Sequence, residues 1–381
     1  MKVFLFFSAM LLFISCNKQQ DFPYENYFQN NYSDCRQAFE EVAKTVETIK
    51  IDQFEIDYCY YPAKKEKGTI LVLTSGIHGI EGFAGSALQQ YFLDSMLTEL
   101  PQEDMGYLII HGINPWGFEN YRRVNGNNVD LNRNFSIDST IYRKENDGYL
   151  KVDHFLNPQQ KVDINFVRRV SFPFKVMKEL RKASMEELKQ AVLEGQYKAP
   201  SGLFYGGNRP EKETLIVSAL IDSLCAPYQK TLAIDIHTGY GATNTMHLFP
   251  NADLSVETKA MIQNLYEGYE IDWGDKDGFY NVTGDFSSHL IDLLPGKKVI
   301  PMVFEFGTIN NHKTVGSLKS IRYMKLENQG HFHGYYEASD SLLVKEYFME
   351  LYYPESKHWR NGLIKDGASA IRLAINNRHK I

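Results

Sequence analysis

The sequence predicts a three-layer α/β/α fold around a mixed, mainly parallel central sheet, and three observations carry that expectation. Short apolar runs recur at Ile70 to Thr74, Tyr107 to Ile110, Leu232 to Ile236 and Val299 to Phe304, each with the length and composition of a strand buried on both faces. The first run lies between Gly68 and Gly76, and from Ile80 onward Phe83, Ala84, Ala87, Leu88 and Tyr91 fall at helical spacing, so a strand leads into a helix. Such alternation implies a layered, mostly parallel sheet. Finally, His78, His237 and Glu305 stand where three of these runs end, and ligands gather at the carboxyl ends of strands in sheets of this kind.

The elements before and between these runs follow in order. Lys2 and the apolar stretch Val3 to Ile14 form a targeting segment that is too short to span a bilayer comfortably. It closes on Phe13-Ile14-Ser15-Cys16, followed by polar Asn17 to Gln20. Residues 1–15 thus resemble a bacterial lipoprotein signal, cleaved before Cys16 to leave a lipid-modified N-terminus, although Phe13 replaces the usual Leu. The expected location is the bacterial cell envelope, with a membrane anchor at Cys16; an ordinary secretory peptide would also take the chain out of the cytoplasm. Residues 16–50 read as a tether and an N-terminal helix near Asp34 to Ile49, and Phe54 to Tyr61 alternates like a strand. Residues 51–381 read as the folded domain. Within it, about 136–209 is a polar insertion with a helix from Phe174 to Glu194, packed beside the sheet as one wall of a cleft.

Composition narrows the function classes. A chain of 381 residues can bury a sizeable core. Its 24 Tyr and 24 Phe suit either core packing or a surface that grips an elongated substrate. A net charge of −6 without any long basic run argues against a nucleic-acid partner, because phosphate binding depends on clustered Lys and Arg. With Cys16 lipidated, Cys35, Cys59 and Cys225 remain; a Cys35–Cys59 pair and three buried thiols both stay open. There is no C-x-x-C, no G-x-S-x-G, no P-loop and no dinucleotide-binding glycine run.

The segment Gly76-Ile77-His78-Gly79-Ile80-Glu81-Gly82 lies where strand turns into helix, so residues three apart project to one side. A catalytic zinc needs three protein ligands and an open position. His237, in Ala233-Ile234-Asp235-Ile236-His237-Thr238-Gly239, supplies a third candidate. On these residues alone, a metal site and an unrelated set of turn residues with a satisfied core histidine both stand. His247, His289, His331 and His333 have no partner at ligand spacing and read as structural or solvated, while Met246 and Met302 read as core.

Further motifs are Asn114-Pro115-Trp116-Gly117-Phe118, Arg122-Arg123-Val124-Asn125, Asp130-Leu131-Asn132-Arg133-Asn134-Phe135 and Glu305-Phe306-Gly307-Thr308. Together with HxxE and the strand-end histidine, this ordered set resembles the M14-type zinc carboxypeptidase family. In wording it is closest to a bacterial branch described as a domain of unknown function, DUF2817. The resemblance covers roughly Gly68 to Thr308. It implies a zinc-carboxypeptidase-like fold and one zinc ion held by His78, Glu81 and His237. Asp130 is then the carboxylate that fixes a ligating imidazole. Asn132 and Arg133 bind a substrate carboxylate, and Arg123 or its neighbour Arg122 stabilises the oxyanion. Glu305 becomes the general base. Tyr280 is a positional candidate for the family's mobile tyrosine, while Tyr205 and the neighbouring glycines read as a simple turn, with the cleft wall as the alternative.

The resemblance therefore implies a metallopeptidase of carboxypeptidase type, a hydrolase that cleaves a peptide or amide bond near a free carboxylate. The envelope address alone, rather than the resemblance, makes wall-derived peptide a natural substrate. One alternative is a zinc deacylase of N-acyl amino acids, similar to the aspartoacylase group. Another is an envelope binding lipoprotein without catalysis.

Overall fold

The computed structural model describes residues 22–165, 194–250, 254–273 and 282–381, together with 171–172, 174–176 and 178. Cys16, Tyr280 and most of the expected Phe174 to Glu194 helix lie outside the described residues. Among the described residues, no helix is long and apolar enough to cross a membrane.

Among the described residues, seven strands make one mixed sheet. They are β1 (Glu47–Ile51), β2 (Phe54–Tyr61), β3 (Thr69–Ser75), β4 (Met105–His111), β5 (Lys230–Thr238), β6 (Met246–Phe249) and β7 (Lys298–Phe306), in the order β1-β2-β4-β3-β5-β7-β6. The four central strands β4, β3, β5 and β7 run parallel, with antiparallel strands at both edges. This is the mixed, mainly parallel sheet that the apolar runs predict. Every residue of β3 and β4 is buried, which is why these strands read as continuous apolar runs.

Strand alternation sends successive side chains to opposite faces. Leu71 and Leu73, Ile234 and Ile236, and Phe304 and Phe306 join one core. There they meet α1 (Tyr32–Ala43), α2 (Gly82–Tyr91) and the C-terminal helix of Lys357–Asn377. Ile70, Val72 and Ala233 point the other way. They pack against the helices Lys212–Cys225 and Phe286–Leu293. Both faces are thus covered by helices, and the two cores are separate. Cys35 and Cys59 lie in the first and Cys225 in the second, all as buried free thiols. Burial pushes the Cys59 thiol up to about 12.

The chain reverses direction across the sheet at β3. From β3 it crosses to β4 on one side, then returns to β5 on the other and continues to β7. A crevice opens beyond the carboxyl ends of β3 and β5 at such a switch point. Helix α2 is buried on nearly its whole circumference, as expected of a helix enclosed between sheet and outer helices. Its Gln89 fastens the strand ends: Nε2 donates to the carbonyls of Leu73 and Ile110, and Oε1 accepts from Ser75.

The N-terminal expectation needs correcting. The helix expected to reach Ile49 stops at Ala43, Lys44 takes a φ of 59°, and Glu47–Ile51 becomes edge strand β1. Val46, Thr48, Ile49 and Ile51 are β-branched and suit a strand. Asp52, at φ 55°, turns the chain so that Ile51 pairs with Phe54.

One buried carboxylate makes stability depend on pH. Asn125 donates to both Glu211 and Glu213, and burial, with the nearby Glu211 charge, raises the Glu213 carboxyl to about 7. An acid whose folded pKa lies above its unfolded value binds protons more tightly in the fold, so stability falls as pH rises from about 4.5 to 7. Glu213→Gln keeps the acceptor for Asn125 and removes the buried charge. At pH 8 this variant is expected to be more stable than wild type by up to about 3 kcal/mol, and at pH 4 no different. Thermal melts at both pH values check this; equal melting points at pH 8 count against it.

Candidate metal centre

Residues from several segments come together at the strand ends of the switch point, and local sequence explains each placement. After β3 the chain turns at Gly76 and delivers His78 and Glu81 at the start of α2. This turn is docked on the Arg122-Arg123 segment: Gly79 N donates to the Arg123 carbonyl at 3.1 Å and Ile80 N to the Arg122 carbonyl at 2.9 Å. A Cβ on Gly79 would stand 2.2 Å from the Gly117 backbone, so Gly79 is required by close approach. Asn114 holds that second segment in place. Its Oδ1 accepts from Gly117 N and its Nδ2 donates to the Arg123 carbonyl. The NPxGF and RRxN motifs are therefore the seat on which the HxxE turn rests.

His237 and Glu305 come from the sheet itself. They are paired partners at the carboxyl ends of β5 and β7. Asp235 and Thr74 are also paired nearby. By strand alternation Thr74, Asp235, His237 and Glu305 all project to the same face.

His78 and His237 bring their Nδ1 atoms within 3.2 Å of each other, and each Nδ1 lies 2.9 Å from one oxygen of Glu81. Thr238 N donates to Glu81 Oε2 at 3.0 Å. The ligand atoms of His78, Glu81 and His237 lie within 4.8 Å of one another, and this buried group can hold a metal ion. The outer ring nitrogens strengthen the case. His78 Nε2 donates to Asp130 Oδ1 at 3.0 Å, and His237 Nε2 donates to Asp235 Oδ2. When both rings are neutral with their Nε2 hydrogens turned outward, the two Nδ1 lone pairs face each other and the Glu81 carboxylate. A cation between them removes that repulsion, and the carboxylate–histidine arrangement is the usual outer support of a ligating imidazole. Two imidazole nitrogens and one carboxylate are the donor set of a catalytic zinc site.

The electrostatics are those of a site organised around positive charge. Burial alone would raise the Glu81 carboxyl, but His78 and His237 outweigh it and hold it well below the usual range. Burial likewise opposes Asp130, and Arg123, His78 and Arg133 hold it low. Glu305 goes the other way. Burial, then the Glu81 charge, raises it to about 8. Its Oε1 accepts from Tyr240 N at 2.8 Å, and a cation in the cluster would act against the upward shift.

The two arginines left open by the sequence separate cleanly. Arg123 enters the cluster, with Nη1 3.2 Å from Glu81 Oε1 and Nε 3.2 Å from Asp130 Oδ2. Arg122 points away to Glu327, Asn128 and Asn328. Phe204, rather than Tyr205, faces Arg123, with its ring 5.8 Å from the guanidinium carbon; Tyr205 is buried in the second core and its carbonyl accepts from Asp130 N.

Asn132 and Arg133 follow Asp130 in a short 3₁₀ turn capped by the Asp130 side chain. Asn132 Oδ1 accepts from Phe286 N, which leaves the amide group as its donor end. Arg133 is buried, and its Nη1 donates to the Asn132 carbonyl at 2.7 Å. Asp285, on whose charge Arg133 acts, is raised to about 6, chiefly by burial. Asn134 uses all of its bonding capacity for structure, joining Gly206, Arg209, Glu211 and Thr214. His247 and His289 have structural partners: His247 Nε2 accepts from Ala242 N, and His289 pairs with Ser218.

Asp235 and Tyr352 are absent from the sequence-based site. Asp235 carried a readable signal, since D-x-H on a strand puts both side chains on one face. Tyr352, in the helix Ala338–Tyr352, accepts at its carbonyl from Thr238 Oγ1 beside His237, and no local pattern marks it.

Comparison with known proteins gives a consistent but distant set. No curated protein matches the chain. Among solved structures, the chain is similar to bovine thrombin-activatable fibrinolysis inhibitor in complex with tick carboxypeptidase inhibitor. Identity there is 14%, with 89% of this chain and 99% of that chain covered, and the TM-score is 0.42. Carboxypeptidase A from Helicoverpa armigera is similar at 14% identity, covering 84% of this chain and 73% of that chain, with a TM-score of 0.40. Murein-tripeptide amidase MpaA from Escherichia coli O157 is similar at 17% identity, covering 71% and 86%, with a TM-score of 0.33. Values at this level do not bear on activity. A family model described as "Protein of unknown function (DUF2817)" matches residues 28–366, and the chain belongs to that family.

Proposed function

We propose that this protein is a zinc-dependent hydrolase of carboxypeptidase type, cleaving a peptide or amide bond next to a residue with a free carboxylate. The observation that carries the reading is the convergence of His78 Nδ1, His237 Nδ1 and both Glu81 oxygens beside Glu305 at the switch point. Zinc held there would acidify a water and polarise the scissile carbonyl.

The chain's own groups supply the rest. Glu305, next to His237 across the β5–β7 pair, takes the proton of the attacking water and returns it to the leaving amine. Arg123, held by Asp130 and Glu81, faces the charge that develops on the carbonyl oxygen. Asn132 and Arg133 are assigned to the substrate's carboxylate, a planar anion that suits a guanidinium. The targeting segment and Cys16 would place this activity in the cell envelope, where wall-derived peptides carry such carboxylates.

Metal analysis of the purified protein, followed by assays on C-terminal peptide libraries, wall-derived peptides and N-acyl amino acids, tests the reading. One zinc per chain and release of a C-terminal residue are expected. Turnover of N-acyl amino acids alone would favour a deacylase, and a protein that takes up no zinc would remove the mechanism.

A further inference from the structure

We propose that His247 is a positioning residue for Glu305, acting through the loop between β5 and β6; the assignment rests on the hydrolase reading above. In the β6–β7 pair His247 stands opposite Glu305, and Glu305 is in turn the partner of His237 on β5. Residues paired across neighbouring strands share a face, so the three lie in one row on the side of the candidate metal centre. The His247 Nε2 accepts from Ala242 N at 3.0 Å, in the loop that joins β5 to β6. Burial lowers the His247 pKa, which keeps the ring neutral near pH 7 and leaves Nε2 free to accept.

Four consecutive backbone amides of this loop each donate to a side chain. Tyr240 N donates to Glu305 Oε1 at 2.8 Å and Gly241 N to Asn311 Oδ1 at 2.7 Å. Ala242 N follows with His247, and Thr243 N with Asn310 Oδ1 at 3.0 Å. Asn310 and Asn311 belong to the segment after β7, whereas His247 is part of the sheet. The His247 ring also lies against Gly241, which has a φ of 104°; a Cβ there would stand 2.3 Å from Nε2. Beneath the loop, a Cβ on Gly307 would stand 2.0 Å from the Ala242 carbonyl oxygen. Sheet and ring thus fix the loop two residues from the amide that holds Glu305. Without the Nε2 acceptor the Ala242 N–H loses its partner, a cost that drives the loop to rearrange. The Tyr240 N–H then moves off Glu305, and the carboxylate is aligned less often with an attacking water.

The test compares wild type, His247→Asn, His247→Gln, Glu305→Gln and the double variant Glu305→Gln/His247→Asn on the best-cleaved member of a C-terminal peptide library. Zinc content and melting temperature are measured beside kcat and KM. Gln places its amide oxygen near the position of Nε2 and Asn only near that of Nδ1, so the first keeps the acceptor and the second withdraws it. His247→Asn is expected to lose about 10-fold in kcat with KM and zinc content near wild type, and His247→Gln to stay within about threefold. In the Glu305→Gln background the Asn change should cost less than about twofold, because its effect passes through that carboxylate. Wild-type kcat in His247→Asn, equal losses in Asn and Gln, or an undiminished loss in the Glu305→Gln background each overturn the assignment while the hydrolase reading stands. Should His247→Asn fail to fold, Gly241→Ala displaces the same contact from the loop side. It is expected to show the same kcat loss, and wild-type kcat there overturns the assignment. An inactive wild type overturns the hydrolase reading itself, and the role of His247 with it.

Discussion

Replacing Glu305 by Gln is expected to lower kcat by about 10³-fold while zinc content and substrate affinity stay near wild type; general acid–base catalysis typically accounts for 10²–10⁴-fold. Gln preserves the shape of the side chain and an oxygen for the Tyr240 N–H that holds Glu305 in place. What disappears is the capacity to accept a proton from water and deliver it to the amine. The size of the loss follows from the environment. Glu305 is buried and has no second carboxylate on its own strand that could take over. Glu81 is committed to the two imidazoles and to Thr238 N, so it cannot act as a substitute base. Steady-state kinetics with metal analysis on the same preparations decides the matter. A variant retaining more than a tenth of wild-type kcat would falsify the role of Glu305 as base.

The second large effect is expected at a residue outside the ligand set. Asp235→Asn should weaken zinc binding 10- to 100-fold, the range typical of losing an outer partner of a ligating histidine. Charge is only part of the reason. Thr74 Oγ1 donates to Asp235 Oδ1 at 2.7 Å, so in the variant Thr74 holds the amide with its oxygen inward. The amide NH2 is then set against the His237 Nε2–H, two donors facing each other. The ring escapes by moving its proton to Nδ1, the atom that must bind the metal. Adding Thr74→Val frees the amide to turn round, and part of the affinity should return. Competition with a chromophoric chelator measures each dissociation constant. Equal constants for wild type and Asp235→Asn, or a double variant weaker than the single one by the sum of separate effects, would contradict this coupling.

How much of this was legible in the sequence differed by element for physical reasons. The central strands β3, β4, β5 and β7 were visible because burial on both faces leaves uninterrupted apolar runs. Edge strand β1 was not: it is half exposed, with a mixed burial pattern, and follows a helix whose end is set by the Lys44 backbone rather than by a glycine or proline. His78, Glu81, Asp130 and His237 sit in short motifs whose spacing reports their convergence. Arg122 and Arg123 are adjacent in a loop, and sequence order says nothing about which one turns inward. Here Glu327 and Asn328, two hundred residues later, capture Arg122. Tyr352 was invisible for the same reason, since its partner Thr238 is far away in the chain.

The even spacing of Asp235 and His237 on β5 ties the metal cluster to the register of the sheet. A slip of β5 by one residue would send both side chains to the opposite face of the sheet. His237 would then leave His78 and Glu81 behind, and Thr74 would lose Asp235. The ligands belong to β5 and to the turn after β3, two segments that meet only when the parallel strands are in register. A metal ion bound in the cluster would therefore stabilise only chains whose parallel strands are correctly paired, because a ligand that binds the folded state alone shifts the equilibrium towards it.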